Sequence, residues 1–158
     1  MQTYCFEFSF AQLGRNAWAL FSRVFLQLPD IFFNSIPAFG PLYHVSIPFV
    51  LIGIIVFTIR LFKEKQIEKQ TQMLALWGFL ITGIWVGLIT FEVNINRVNI
   101  IFYPVILLCA YGISLVVDKF GKLFPVIVAA YAVSSVLFSQ RILQSMRKRA
   151  DTITTGIS

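Results

Sequence analysis

The stretch "HVSIPFVLIGIIVFTIRLF", from His44 to Phe62, is apolar through almost its whole length. Three similar runs follow it, at Met73–Phe91, Val98–Val117 and Leu123–Ser139. Each is about long enough to cross roughly 30 Å of hydrocarbon as a helix. Backbone groups in lipid need partners within their own segment, and these runs lack the alternation of strands. The sequence therefore predicts an all-α fold, a polytopic membrane helical bundle with four transmembrane helices.

The composition excludes an ordinary soluble domain. Of the 158 residues, 58% are hydrophobic and 13% are charged, whereas soluble domains are about 45–50% apolar and about 25% charged. The formal net charge is +6, but the basic residues lie in short segments between apolar runs, as is usual beside a bilayer. They are not interleaved with exposed aromatic residues, so nucleic acid is not an expected partner. Cys5 and Cys109 are far apart in the sequence and form no disulfide framework or metal motif.

Residues 1–43 differ from the spans that follow. Apolar residues recur every three or four positions in "FAQLGRNAWALFSRVFLQL", while Arg15, Asn16, Ser22 and Arg23 fall mostly elsewhere on the helical wheel. This pattern predicts an amphipathic helix that lies in the membrane interface or against other helices. A Phe-rich run with several prolines follows it and predicts a lid or platform at the membrane surface. The chain thus divides into an interfacial segment (1–43), a four-helix transmembrane region (44–139) and a basic polar tail (140–158).

Orientation is predicted from the basic residues. Lys63 and Lys65 belong to a basic loop after the first span, and Lys119 and Lys122 lie between the third and fourth spans. Both loops fall on one side, which is therefore predicted to be cytoplasmic. The tail opposes this assignment, because its four basic residues would lie outside and make the count nearly even. Residues 1–43 would also lie outside without a signal peptide, so we expect further spans before Met1.

The stretch "FEVNINRVNIIFYPV", from Phe91 to Val105, places charge and amides between two apolar runs. Arg97 lies at the outer mouth of the third span, with amide side chains around it and Glu92 before it. A guanidinium presents a planar fork of donors suited to phosphate oxygens, and low dielectric strengthens the contact. Two interpretations stay open: a phosphate-binding group, or an interfacial arginine that extends to the lipid headgroups. The amides concerned are Asn94, Asn96 and Asn99.

Other candidate residues have structural alternatives. Tyr103 and Pro104 lie further into the third span, where a proline can kink a helix and open a groove. His44 can act as an acid or base at the outer surface, or simply lie in the interface. Gly83 and Gly87, and the small residues of the fourth span, indicate close helix packing. No span contains an acidic residue, which argues against a proton or cation pump. There is no glycine-rich phosphate loop, HExxH motif or nucleophile elbow.

At "NINRVNIIFYPVILLCAYGIS", residues 94–114, the chain resembles the GT-C superfamily of lipid-linked-sugar glycosyltransferases, such as protein O-mannosyltransferases and bacterial aminoarabinose transferases. Many members have an arginine at an extracytoplasmic helix mouth, then a proline and an apolar run with small residues. Here these are Arg97, Pro104 and "VILLCAYGIS". The upstream "FNSIPAFGPLYHVSIPFVLIGI" is also similar to a proline-rich turn that leads into a later span of these enzymes. The resemblance covers about Pro29–Phe138.

The resemblance implies the C-terminal membrane part of an enzyme that takes a sugar from a polyprenyl- or dolichyl-phosphate carrier. The site would face the extracytoplasmic side of the plasma or cytoplasmic membrane. Arg97 would contact the carrier phosphate, and Tyr103 and Pro104 would shape the groove for its chain. The family's catalytic carboxylate lies in an outer loop that would precede this chain, and no equivalent acidic pair occurs here. A divalent metal is possible in the full enzyme, but no ligands for it are identified. The alternative is a non-catalytic, four-span accessory or scaffold protein; a transporter is disfavoured because the spans lack internal polar residues.

Overall fold

The described part of the chain forms five α-helices. The computed structural model describes residues 9–26, 42–90, 93 and 98–155. The helices are α1 (Phe10–Val24), α2 (Ile47–Lys63), α3 (Ile67–Ile89), α4 (Phe102–Lys119) and α5 (Phe124–Thr155). Short 3₁₀ turns lead into three of them, at His44–Ser46, Asn99–Ile101 and Gly121–Leu123. No strand occurs in these residues, and four helices are long and apolar enough to cross a membrane. The prediction of an all-α, four-span membrane fold is confirmed.

The ends of the spans differ in part from the prediction. With its leading turn, the first span runs from His44 to Lys63, close to the predicted His44–Phe62. The second span, α3, begins at Ile67, before the predicted Met73. The third span runs from Asn99 to Lys119. The helix of the fourth span does not end at Ser139 but continues to Thr155. Hydropathy marks only the part of a helix that lies in hydrocarbon, and polar residues such as Glu68 and Gln70 continue it into water.

Helices α2 and α4 meet through glycines. A Cβ atom on Gly53 would collide with the backbone carbonyl of Leu108, and one on Gly112 would collide with that of Phe49. Two glycines on facing helices therefore let the backbones approach each other directly, which is how helices associate without a hydrophobic driving force in lipid. Leu108, only 1% exposed, and Val50 fill the space beside this contact. This pair forms the best-packed part of the molecule.

Helix α1 packs along the end of α3. Leu20 contacts Gly87, where a Cβ atom would lie 2.7 Å from the leucine methyl carbons. Asn16 and Ser22 were expected on the polar side of α1, but both are buried. The buried side chain of Asn16 is compensated, because its amide nitrogen donates hydrogen bonds to the carbonyl oxygens of Leu88, at 2.8 Å, and Thr90, at 2.6 Å. The expectation that α1 lies against other helices is confirmed, with Asn16 on the contacting face.

Helix α5 lies at the edge of the bundle. Only 6% of its membrane-length window is buried, against 33% for the span that contains α4. Its apolar side chains, such as Val133 and Leu137, are mostly exposed. The small residues predicted to pack do so only weakly, since Ala129 and Ser135 are exposed and Ala130 and Ser134 are half-buried. The helix is joined to the others mainly through aromatic residues.

Candidate functional site

Half of the sequence-predicted site lies outside the described residues. Arg97 and Glu92 are among these, with Asn94 and Asn96. The platform predicted from the proline-rich run also falls mainly outside them, at residues 27–41. Asn99, Tyr103, Pro104 and His44 are described. The structure therefore describes residues on either side of Arg97, and the role of Arg97 stays a prediction.

The described candidates lie in different environments. Asn99 opens the 3₁₀ turn before α4 and is exposed, and His44 is exposed at the start of the turn before α2. Tyr103 is 68% exposed, whereas Pro104 is almost fully buried. Pro104 lies in the first turn of α4, where a missing N–H has no carbonyl to bond within the helix. It starts the helix rather than kinking its interior, and its side chain packs inside the bundle.

The described residues within and beside the segment 91–97, which carries Arg97, contact α1. Before it, the Asn16 amide bonds carbonyls at the end of α3, which have no partner within the helix. Within and after it, Val93 is 3% exposed and Val98 is 1% exposed, and both pack in one cluster with Leu20 of α1. The residue that follows Arg97 is therefore among the most buried in the chain. The start of α4 is held in turn, because Ile101 packs against Gly83 of α3.

A second polar group lies deeper in the bundle, between α2, α4 and α5. The hydroxyl oxygens of Ser46 and Tyr131 are 2.8 Å apart and share a hydrogen bond. The Cys109 thiol lies 3.5 Å from the Tyr131 hydroxyl and 3.8 Å from the Ser46 carbonyl oxygen, to which it donates. Hydroxyl groups at this depth need partners, because lipid supplies none. These three side chains satisfy one another.

A crevice opens beside this polar group. Its volume is about 460 Å³, within the range of about 300–1,000 Å³ typical of small-molecule sites. The walls are mainly apolar and come from the start of α2, one face of α4 and α5. The lining residues are Leu42, Tyr43, Ser46, Ile106, Cys109, Ala110, Ile113, Tyr131 and Phe138. Such a space fits an apolar chain better than a charged or strongly polar molecule.

The crevice and the arginine-bearing loop are linked along α4. Ile106, Ala110 and Ile113 line the crevice, and Tyr103 lies on the same helical face, one turn nearer to the loop, by the 3.6-residue period. From Val98 to Ile106 the chain rises by about 12 Å at about 1.5 Å per residue. One amphipathic molecule can therefore span the distance from the loop to the crevice.

Sequence reasoning missed Asn16, Ser46 and Tyr131 as organising residues. A signal was present for Tyr131, because the hydroxyl of a tyrosine in the middle of an apolar span usually finds a hydrogen-bond partner. Its partners come from positions 22 and 85 residues away, so only the tertiary structure identifies them. The described residues contain no group of three His, Cys, Asp or Glu side chains that could hold a metal.

The fold and these sites define an integral membrane protein with several spans. No family model, curated protein or solved structure matches the chain.

Proposed function

We propose that this chain is the C-terminal membrane portion of a glycosyltransferase. In this proposal the enzyme moves a sugar from a polyprenyl- or dolichyl-phosphate carrier to an extracytoplasmic acceptor. The chain contributes the site for the carrier phosphate, at the loop of Arg97, and the groove for the carrier's hydrocarbon chain. The catalytic carboxylate would come from spans that precede this chain in the full enzyme. The proposal rests on the sequence resemblance and on the geometry around the loop.

The observation that carries the proposal is the contact of α1 with the described residues on both sides of Arg97, near the end of α4 that leads to the crevice. Val98 is buried against Leu20, and Asn16 holds the end of α3. In the proposal, the cation next to Val98 contacts a phosphate at this end of the bundle. The face of α4 that begins at Tyr103 leads from there to the crevice. The phosphate of the carrier would lie beside Arg97, and its hydrocarbon chain would lie along this face of α4 and in the crevice.

The chemistry expected of Arg97 is electrostatic. The bond between sugar and carrier phosphate breaks so that negative charge grows on the phosphate that leaves. A guanidinium held at the edge of a low-dielectric region stabilises that growing charge more than it stabilises the ground state. A lysine would supply the charge without the planar pair of donors. Arg97 thus has a charge-stabilising role in the proposal, and the base lies elsewhere.

Orientation is part of the proposal. The loop after α2 and the turn before α5 carry most of the basic residues between spans and would face the cytoplasm. A single cysteine in place of Asn96 should then react with an impermeant thiol reagent in intact cells. A single cysteine in place of Lys65 should react only after the membrane is permeabilised. The reverse pattern would place the loop of Arg97 in the cytoplasm and exclude an extracytoplasmic site.

The phosphate site can be tested by photolabelling. The chain in lipid nanodiscs is exposed to decaprenyl phosphate bearing a photoreactive diazirine, with the matching decaprenol as reference. A hydrogen-bonded charge pair is worth about 1.5–3 kcal/mol, so Arg97→Ala should weaken phosphate-dependent labelling about tenfold or more. Arg97→Lys should recover part of it. Labelling by the decaprenol should be unchanged.

The matched control is Arg15→Ala, which removes an exposed cation of α1 next to Asn16. It lowers the net charge by the same amount near the same end of α3 and should leave the labelling unchanged. Equal labelling by the phosphate and the alcohol in every variant would contradict the proposal. That result would reduce Arg97 to a membrane anchor and favour the non-catalytic accessory or scaffold protein.

A further inference from the structure

We infer that α5 is a movable wall of the crevice, and that the hydrogen bond between Tyr131 and Ser46 holds it closed. In this arrangement an isoprenoid chain enters sideways from the bilayer, between α4 and α5. That the chain belongs to a polyprenyl carrier rests on the function proposed above, whereas the movement of α5 does not.

The first argument is the weak attachment of α5. Its membrane-length window is 6% buried, and its core contact is limited to positions such as Ile127, at 9% exposure. Every other span has at least 17% of its window buried. A helix with so little packing has few contacts to break when it moves, and segments with few buried contacts open most readily.

The second argument is where the attachment lies. The side-chain hydrogen bonds resolved between α5 and the other helices involve the Tyr131 hydroxyl, with Ser46 and Cys109 as partners. Tyr43 adds aromatic contacts, with its ring centroid 6.1 Å from that of Tyr131 and 6.2 Å from that of Phe138. All of these residues line the crevice or form its polar wall. The contacts that close α5 are therefore the ones that an entering chain must displace.

The third argument is the contrast between the two walls. The α4 wall is rigid, because Gly112 packs its backbone directly on α2. The α5 wall has exposed apolar side chains on its far side, such as Val133 and Val136, so no other described helix packs against that side. Among the described residues, opening would break the Tyr131 hydrogen bonds and the aromatic contacts of Tyr43.

The native thiol of Cys109 reports on this opening. It is 7% exposed and lies against Tyr131, so movement of α5 away from α4 should speed its modification by N-ethylmaleimide. The experiment measures the modification rate of Cys109 in a Cys5→Ser background in nanodiscs. An interhelical hydrogen bond in a membrane shifts a two-state population about threefold or more. Tyr131→Phe and Ser46→Ala should each raise the rate by that factor.

The matched control is Tyr111→Phe. It removes the same hydroxyl group from a tyrosine of α4 whose buried hydroxyl has no hydrogen-bond partner, so the rate should not change. Ser46→Ala leaves the Tyr131 hydroxyl beside the thiol of Cys109. A faster modification rate in this variant therefore reports movement of α5 and not a direct effect of the tyrosine hydroxyl on the reactivity of the thiol. Equal rates in all variants, or an equal rise in Tyr111→Phe, would overturn the inference.

A locked form tests the entry path in one protein sample. Tyr131→Cys in the Cys5→Ser background is joined to Cys109 by a reducible bifunctional thiosulfonate reagent. Photolabelling of α4 by diazirine decaprenol should then fall, and reduction should restore it. A monofunctional reagent of similar size occupies the crevice without joining the helices and should block labelling less. Equal labelling before and after locking would overturn the entry path, while the phosphate test of Arg97 would stand or fall separately.

Discussion

Helices α4 and α5 are neighbours in sequence and both belong to apolar spans, yet they are held in different ways. The span of α4 is 33% buried, and its glycine lies directly on the backbone of α2. The window of α5 is 6% buried, and a few aromatic side chains attach it to the bundle. Mean hydropathy does not account for this difference, because the span of α3, at 1.8, is 17% buried, whereas the span of α5, at 1.7, is 6% buried. Apolarity places a helix in the bilayer, but close packing depends on small residues that face a partner's backbone.

The largest expected difference between α4 and α5 is in the free energy of unfolding lost when one leucine on each helix is shortened. Leu108 of α4 is 1% exposed, so Leu108→Ala leaves a cavity and should lower the free energy of unfolding by about 2–5 kcal/mol. Leu137 of α5 is 50% exposed, and Leu137→Ala should change it by no more than about 0.5 kcal/mol. Reversible unfolding in mixed detergent micelles measures both. Similar losses at the two sites would mean that α5 is packed as firmly as α4.

A smaller effect comes from adding one methyl group at a glycine. The Cβ atom of Gly112→Ala would meet the backbone carbonyl of Phe49, which cannot rotate away, so α2 and α4 must separate. We expect a loss of about 1–3 kcal/mol in the free energy of unfolding, measured as above. The control is Gly78→Ala in α3, where nothing lies within 4 Å and the helix should gain up to about 1 kcal/mol. A harmless Gly112→Ala would show that the two helices are not held by backbone contact.

The smallest effect concerns the turn between α2 and α3, away from both regions. The Glu64 carboxylate accepts hydrogen bonds from the backbone N–H groups of Gln66 and Lys65, each at 3.0 Å. The bond from Gln66 is the main cause that lowers the pKa of Glu64 below its ordinary value, and Lys69 adds to it. A carboxyl group with a lowered pKa stabilises the fold above its unfolded pKa and loses this contribution as the pH falls through the folded value.

The stabilisation by Glu64 should therefore be complete at neutral pH and fade below about pH 4.3, the ordinary glutamate value. In this acidic range, amide hydrogen exchange at Lys65 and Gln66 should become faster relative to other amides, after correction for the intrinsic pH dependence of exchange. In Glu64→Gln this extra pH dependence should disappear, while exchange in the middle of α4 stays as in the unchanged protein. If the extra pH dependence of exchange persisted in Glu64→Gln, it would come from another titrating group.

Much of the fold could be predicted, because the bilayer imposes length and apolarity on each span. The prediction also identified Gly83 and Gly87, which contact Ile101 and Leu20. It missed the pairing of Gly53 with Gly112, since a single glycine in each of two spans does not reveal which helices meet. It assigned packing to Ala129 and Ser135 of α5, which are exposed, because small size permits close approach without causing it.

Less of the site could be predicted. The charge and amides around Arg97 mark a polar segment by composition alone, but the carbonyl groups that precede it are bonded by Asn16, a residue from another helix. The crevice depends on Ser46 and Tyr131, which meet only when α2 and α5 are brought together. Local patterns identify polar residues in unusual places, whereas their partners depend on the tertiary structure. The role proposed for Arg97 rests on the resemblance, and the labelling experiment tests it.

The length of α5 has a mechanical consequence. Its 32 residues extend about 48 Å at about 1.5 Å per residue, against a hydrocarbon thickness of about 30 Å. After Pro125 it contains no proline or glycine, the residues that most often bend a helix. An uninterrupted helix transmits force along its axis, so a force applied near Arg147 would reach Tyr131. The part of α5 that stands in water is thus a lever arm for the part that lies in lipid.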